Sequence, residues 1–530
     1  MVKIRTLNSG LAGAALAFSM LLSLPIVQCA QAQTIEDALR FTGRQPLTGV
    51  RSLGMGGAGV AGIADYSAMY TNPAGLAYFS RSSFSGSLSF FSTVDDGVFT
   101  GPSTNQLENR INDTQIGHLA YIHRVPTVRG SLVFAAGINQ VESFSRELYY
   151  SGTNDANSVT DFFMPLPGEF SVETNNGPDG ISGTADDEFI PDFTRDLSYI
   201  AFQLYAIDLD VAAYEAGDAV PFFPAVTTGA VEQTGTVRET GSMHEINVGM
   251  AVEAAPRVMV GASLNIPVGM WELDRFMTEE DVNNDNDGTG STVDIQSVDW
   301  DQTVKSELVG INLRAGVSVA TSAGFRVGAS LETPTYYAIT EEYSTTMTTV
   351  FDDGYSDTYG DSFGEDAGSG SYDYALITPW RVSVGVGYSK QNLRAMIDAE
   401  LVDWSQLEFD SESFSFAEEN RFMSRSLEDV MNVRAGLEYD LGPVTLRGGI
   451  AMLSDPRKAS YSRLEDGEDR SRAFVGAGLS YRASRQFVFD LGWSGEQFQD
   501  EFVTYGVTGA PVVREDVQRG RFSIGVRARL

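Results

Sequence analysis

The chain has 530 residues, 42% of them hydrophobic, with 54 glycines, 31 phenylalanines, 21 tyrosines and a single cysteine. Its 71 acidic residues against 36 basic ones give a net charge of −35, which excludes nucleic acid as a partner because like charges repel. The aromatic and β-branched content excludes disorder as a description of the whole, and no Pro-rich or Ser-rich linker divides the chain.

The N-terminus reads as an export signal. Lys3 and Arg5 precede an apolar stretch from Leu11 to Leu24, and Ala30-Gln31-Ala32 supplies a signal-peptidase pattern, so residues 1–32 are predicted to be removed. The stretch is broken by Ser19 and Ser23 and is shorter than the roughly 20 residues a membrane helix needs. Gln28 stands where a lipidated Cys29 would want a small neighbour, and cleavage near Gln33 takes the only cysteine with it. No later window is apolar for 18 residues, which leaves a soluble secreted protein or a β-barrel.

Residues 33–81 lack strand periodicity. Gly54, Gly56 and Gly57 lie in a run of small residues, and Asn72-Pro73-Ala74-Gly75-Leu76 follows. The glycine run superficially resembles a nucleotide loop but has no flanking strand and helix of a βαβ unit. Small residues suit a segment packed inside a narrow lumen, so residues 33–81 are expected to form a plug, or hatch.

From residue 82 onward, period-2 alternation predicts fourteen strands starting near 82, 115, 130, 243, 257, 306, 324, 371, 393, 430, 443, 470, 486 and 518. Val382, Val384, Val386 and Tyr388 form one apolar face; Val309 to Val319 and Phe522 to Leu530 repeat the pattern, with Arg314, Arg434, Glu438 and Arg447 on opposite faces. Hydrocarbon on one side and charge on the other suit a barrel with lipid outside and a polar lumen. Connections alternate between short ones, such as 254–256 and 440–442, and long ones near 93–114, 145–242, 272–305, 338–370, 409–429, 454–469 and 495–517. That order puts both termini on the short-turn, periplasmic side. Tyr388, Tyr439, Tyr481 and Trp493 are read as closing their strands in an interfacial girdle. The expected fold is all-β: a transmembrane antiparallel barrel of about 14 strands over residues 82–530.

Several residues are candidates for function. Gly137, in the third strand, is read as a kink in the wall or as simple close packing. In the longest loop, Leu197, Ile200, Ala201, Leu204 and Tyr205 fit a short amphipathic helix, which Asp208 stops from continuing; with Phe222 and Phe223 they either capture an apolar ligand or pack the loop onto the rim. Asn283, Asp285, Asp287 and Asp294, with Gly288, have the spacing of a weak calcium loop or of a solvated acidic turn; no other cofactor is expected. Arg314, Arg434 and Arg447 either meet a substrate anion or pair with Glu438 and Asp490. His118 and His123 point to opposite faces and His244 lies apart, so an enzyme is not expected.

The segment Asp37-Ala38-Leu39-Arg40-Phe41, Ser52 to Ala58 and Asn72-Pro73-Ala74-Gly75-Leu76 resembles the N-terminal hatch of the FadL/TodX family of outer-membrane transporters. The likeness is at motif level in the hatch and only topological elsewhere. It implies passive uptake of hydrophobic molecules, above all long-chain fatty acids, through a hatch-lined pocket and a lateral exit beside a kink in the third strand. It also implies outer-membrane lipids as neighbours and the barrel assembly machinery as a partner in biogenesis. A PorV-type barrel, which shuttles secreted proteins, shares the hatch-like segment and is the alternative.

Overall fold

The computed structural model describes residues 34–45, 48–103, 105–178, 187–226, 230–284, 286, 295–360, 368–461 and 470–530. The expected signal and Cys29 lie outside the described residues, as do Asp285, Asp287, Gly288 and Asp294 of the expected calcium loop.

Fourteen antiparallel staves form one closed wall. The first two are Ser83–Thr100 and Gln106–Val125. The third comes in two pieces, Leu132–Ser143 and Arg146–Asn154. Staves four to six are the long strands Val231–Ala255, Val258–Glu280 and Ile295–Ala320. Stave seven runs through Phe325–Glu332 and Tyr336–Phe351, and stave eight through Ser369–Ile377 and Arg381–Lys390. Pro334 and Pro379 sit at the two breaks, where a residue without an N–H cannot continue the ladder. Stave nine is Leu393–Asp403, extended by Glu408–Asp410, and staves ten to fourteen are Asp429–Leu441, Val444–Leu453, Arg472–Arg482, Phe487–Val503 and Val512–Arg529. The ring closes where stave fourteen pairs with stave one, from Ser83↔Arg529 to Thr100↔Val512.

The predicted starts fall on these staves, but the staves are longer at the long-loop end. The expected loops at 93–114 and 495–517 are mostly strand; among the described residues the breaks are at 101–103, 105 and 504–511. Beyond the lipid band neither face needs hydrocarbon, so alternation fades while backbone pairing continues. Trp493 is corrected in the same way: it lies mid-stave opposite Phe522, whereas Tyr388, Tyr439 and Tyr481 do lie near short-turn ends.

Outward residues such as Ile311, Val384, Leu437, Ile450, Leu491 and Ile524 are exposed around the wall, a continuous apolar belt that water would not tolerate and lipid would cover. Among the described residues no helix is long and apolar enough to cross a membrane.

The hatch occupies the lumen. Thr34 and Asp37 form a reciprocal capping box that starts helix Ile35–Thr42, whose Ile35, Ala38 and Phe41 bury against Val141, Phe144 and Trp271. Two short helical turns follow, Val50–Gly54 and Ala68–Thr71, then a 3₁₀ turn, Pro73–Tyr78.

Candidate functional site: a hatch, a chamber and a seam

The hatch is seated on wall glycines. A Cβ on Gly316 would lie 2.0 Å from the Asn72 side chain, on Gly328 2.0 Å from the Val60 carbonyl, and on Gly449 2.1 Å from the backbone of Met55. Gly476 meets Leu53 and Gly261 meets Pro73 in the same way. Only at glycine can two backbones come this close. The hatch glycines answer them: Gly56, at φ +61°, touches the Ile450 backbone, and Gly54 lies against Gly478. Gly57 adopts φ +80° in the same turn.

Asn72 fastens this fit. Its side-chain nitrogen donates to the carbonyls of Val60 (2.7 Å), Val317 (3.1 Å) and Ala329 (3.3 Å), while its oxygen accepts from the N–H of Ala74 (3.0 Å). One buried amide thereby joins two hatch segments to two staves and opens the turn that begins with Pro73. Asp398 accepts from the N–H groups of Gly59 and Val60 (2.9 Å to the latter), and Arg51 makes a bidentate pair with Glu438 at 2.8 and 2.9 Å.

Above the hatch lies a chamber of about 1770 Å³, floored by Leu39, Arg40, Arg44 and Tyr70 and roofed by Phe162, Met164 and residues 505–510. In a strongly acidic protein its lining is biased the other way: 13 arginines face nine acidic residues and no lysine. Most of these arginines are committed. Arg314 pairs with Glu332 (2.6 Å) and Glu245 (3.4 Å), Arg434 with Glu400 (2.9 Å), and Arg44 with Glu332 (2.6 Å). Below, Arg447 pairs with Glu438 (2.6 Å) and with Asp490 (3.9 Å). All three arginines make ion pairs, but only Arg447 does so with the expected Glu438 and Asp490; Arg314 and Arg434 pair with Glu332, Glu245 and Glu400 instead.

The third stave leaves the wall. Stave two pairs with it only from His118↔Asn139 to Val125↔Leu132, and the register against stave four shifts between Gln140 and Glu142. After Ser145 the second piece, Arg146–Asn154, pairs with stave four alone among the described residues and crosses the inner face of stave one. Arg146 accounts for this inward turn: its guanidinium meets Asp95 (3.0 Å), Glu239 (3.5 Å), Asp500 (3.8 Å) and Glu515, carboxylates from staves one, four, thirteen and fourteen. Leu148 and Tyr150 then pack against Phe99, Val237 and Val513. Gly97 and Gly152 leave the room for it, since a Cβ on either would strike Leu148 or Phe99.

Side chains lace the resulting seam. Asn109 donates to Glu147 Oε2 (2.6 Å), Ser145 Oγ to Asp113 Oδ2 (3.2 Å), and Gln140 to Gln115. Over the seam, on the outer surface, Leu107, Tyr149, Tyr150, Gly235 and Phe276 line a groove of about 370 Å³.

Other sequence candidates fall as follows. Gly137 is in regular register, opposite Ala120 and Asn247, and its missing side chain admits the Tyr66 hydroxyl; the break in the wall lies at residues 140–145. The available signal was Gln140, a polar residue in the lipid-facing phase of Phe134, Ala136 and Ile138. Leu197, Ile200 and Leu204 lie on or just after helix Asp196–Gln203, but they are buried in the roof with Phe163 and Trp300. Phe222 is buried too, and Phe223 is 38% exposed. Among the described residues no group of three metal-ligating side chains occurs. His118 bonds Ser87 (2.7 Å) and stacks on Tyr66, away from His123.

No family model matches the sequence, and no curated protein matches it. Among solved structures, that of a Pseudomonas aeruginosa FadL homologue aligns over 91% of this chain and 98% of its own, with a TM-score of 0.50 and 12% identity. The P. putida toluene transporter TodX aligns over 92% of this chain and 99% of its own, again at 0.50 and 12%. The fold is that of a FadL-type barrel. That fold is shared although scarcely one residue in eight is the same.

Proposed function

We propose that this protein carries hydrophobic molecules, long-chain fatty acids foremost, across the outer membrane of a Gram-negative-type bacterium. The observation that carries the reading is the seam: a wall that loses its backbone ladder beside a chamber, with an external groove over the gap. A hatch seated backbone to backbone opposes a straight path through the lumen. A solute that dissolves in hydrocarbon can instead leave sideways, past Tyr150, into the lipid, a route no polar solute would take. The long-loop end then faces outward, where the roof over the chamber admits the ligand, and the short turns face the periplasm.

The test is mass spectrometry of organic extracts from the natively purified barrel against an unrelated barrel prepared identically. Near-stoichiometric enrichment of fatty acids or another apolar compound is expected. A clean extract with a co-purifying secreted protein would overturn the reading in favour of a shuttle.

A further inference from the structure

Not every guanidinium in the chamber joins the ion-pair network. Arg275, on stave five, lies over the Trp300 ring at 4.4 Å and the Phe502 ring at 5.4 Å, with the Tyr150 hydroxyl beside it. Its Nε and Nη2 are shut off from solvent and have no hydrogen-bond partner. Among the described residues no carboxylate comes within ion-pair distance of it, while Arg146 meets four and Arg314 two. Arg519, which also makes no ion pair, at least faces Glu496 across the ladder. Nearby acids are already engaged: Glu279 accepts from Val159 and Gln233, and Asp500 pairs with Arg470.

A cation buried without a counterion is costly, and a site for neutral hydrocarbon would gain nothing from it. Resting on the transport reading above, we propose that Arg275 is a specificity-determining residue that reads the anionic head of an amphipathic substrate, an organic carboxylate. With aromatic rings against the guanidinium and with Nε and Nη2 closed to solvent, Nη1 is the nitrogen left to donate to a carboxylate oxygen from the chamber. An acyl tail has apolar surface within the same chamber, at Leu273, Phe498 and Phe144. Arg275 also stands at the threshold, since Tyr150 beside it lines the outer groove and the next residue, Phe276, lies in that groove.

The experiment is equilibrium binding of radiolabelled hexadecanoate and methyl hexadecanoate to the full-length protein in detergent at pH 8. The native protein is expected to prefer the carboxylate by about tenfold or more, the scale of a charged hydrogen-bonded pair. Arg275→Gln should weaken hexadecanoate by at least about tenfold and leave the ester within about twofold, and Arg275→Lys should restore part of the loss. Equal affinity of the native protein for the two ligands, or equal losses for both in Arg275→Gln, overturns the inference while transport stands. The native comparison needs no variant to fold. Failure of the native protein to bind either ligand overturns the transport reading itself.

Discussion

Staves one and two are joined by backbone from Ser83↔Ile122 to Val98↔Gln106, whereas staves two and three are joined that way only from Val125↔Leu132 to His118↔Asn139. Above that point, Asn109–Glu147, Ser145–Asp113 and Gln140–Gln115 take over. The difference lies in what makes the join. A ladder of N–H and C=O groups exists whatever the side chains are, while side-chain contacts, each worth about 1 kcal/mol net, depend on the residues present. The same barrel thus holds a backbone join beside one laced by side chains.

The largest effect is expected from locking the side-chain join covalently, since the proposed exit runs through it. The sequence holds a single cysteine, Cys29, so in a Cys29→Ser background cysteines at Asp113 and Ser145 can be bridged selectively by a short bifunctional thiol reagent. Uptake of hexadecanoate by cells should fall to the level of a strain lacking the barrel, while binding to the purified protein persists. A matching pair across staves one and two, at Asn112 and Ser92, should leave uptake unchanged when bridged. Full uptake through the bridged seam would show that the exit lies elsewhere.

The hatch seat extends the comparison, because there too the contact is backbone against backbone. Gly448 and Gly449 are consecutive on stave eleven and face opposite ways: a Cβ on Gly448 meets nothing within 4 Å, whereas one on Gly449 meets Met55 at 2.1 Å. Gly449→Val should therefore destabilise the folded barrel by about 1–3 kcal/mol in a urea titration, the usual cost of overpacking. Gly448→Val should fall within about 0.5 kcal/mol of the native protein. Asn72→Ala should cost a similar 1–3 kcal/mol, since it strands the Val60 carbonyl. Equal behaviour of the two glycine variants would mean that the hatch yields as readily as the seam.

Most of the ladder was legible and most of the seam was not, for one physical reason. Strand positions follow from the lipid face, where every second residue must be apolar, so Val382 to Tyr388 and Phe522 to Leu530 announce themselves. The inward turn of the third stave depends on Arg146 meeting carboxylates up to 369 residues away, a relation no local pattern carries. Gly137 drew attention as a kink because a lone strand glycine has two common meanings, and it turned out to serve the other, admitting Tyr66. The inward glycines at 385, 476 and 478 were visible between the apolar residues, but only the packed hatch reveals them as its seat. The roof helix was foreseen from its apolar stripe, while periodicity could not say whether that stripe captures or packs; its burial with Trp300 decides for packing.

The roof shows that side-chain joinery is not confined to the seam. A strand crosses the bilayer in about 9–11 residues, and Glu279 lies 21 residues after the start of stave five, so it stands well above the membrane. There its carboxyl accepts from Ser158, the Val159 N–H (2.9 Å) and Gln233 (2.6 Å), pinning the cap of roof helix Val159–Phe163 to staves four and five. Burial pushes this carboxyl up to about 7, outweighing the hydrogen bonds that favour the charged form. The docked roof therefore holds a proton more tightly than the undocked one. That contribution is fully present below the ordinary glutamate value near 4.3 and is lost as pH rises through about 7. Limited proteolysis of the connection between residues 155 and 230 should accordingly be several-fold slower at pH 5.5 than at pH 8, and Glu279→Gln should flatten that dependence. A native roof cut at the same rate at both values would show that it is held by its apolar cluster alone, and would leave the seam as the place where this barrel relies on polar side chains to stay shut.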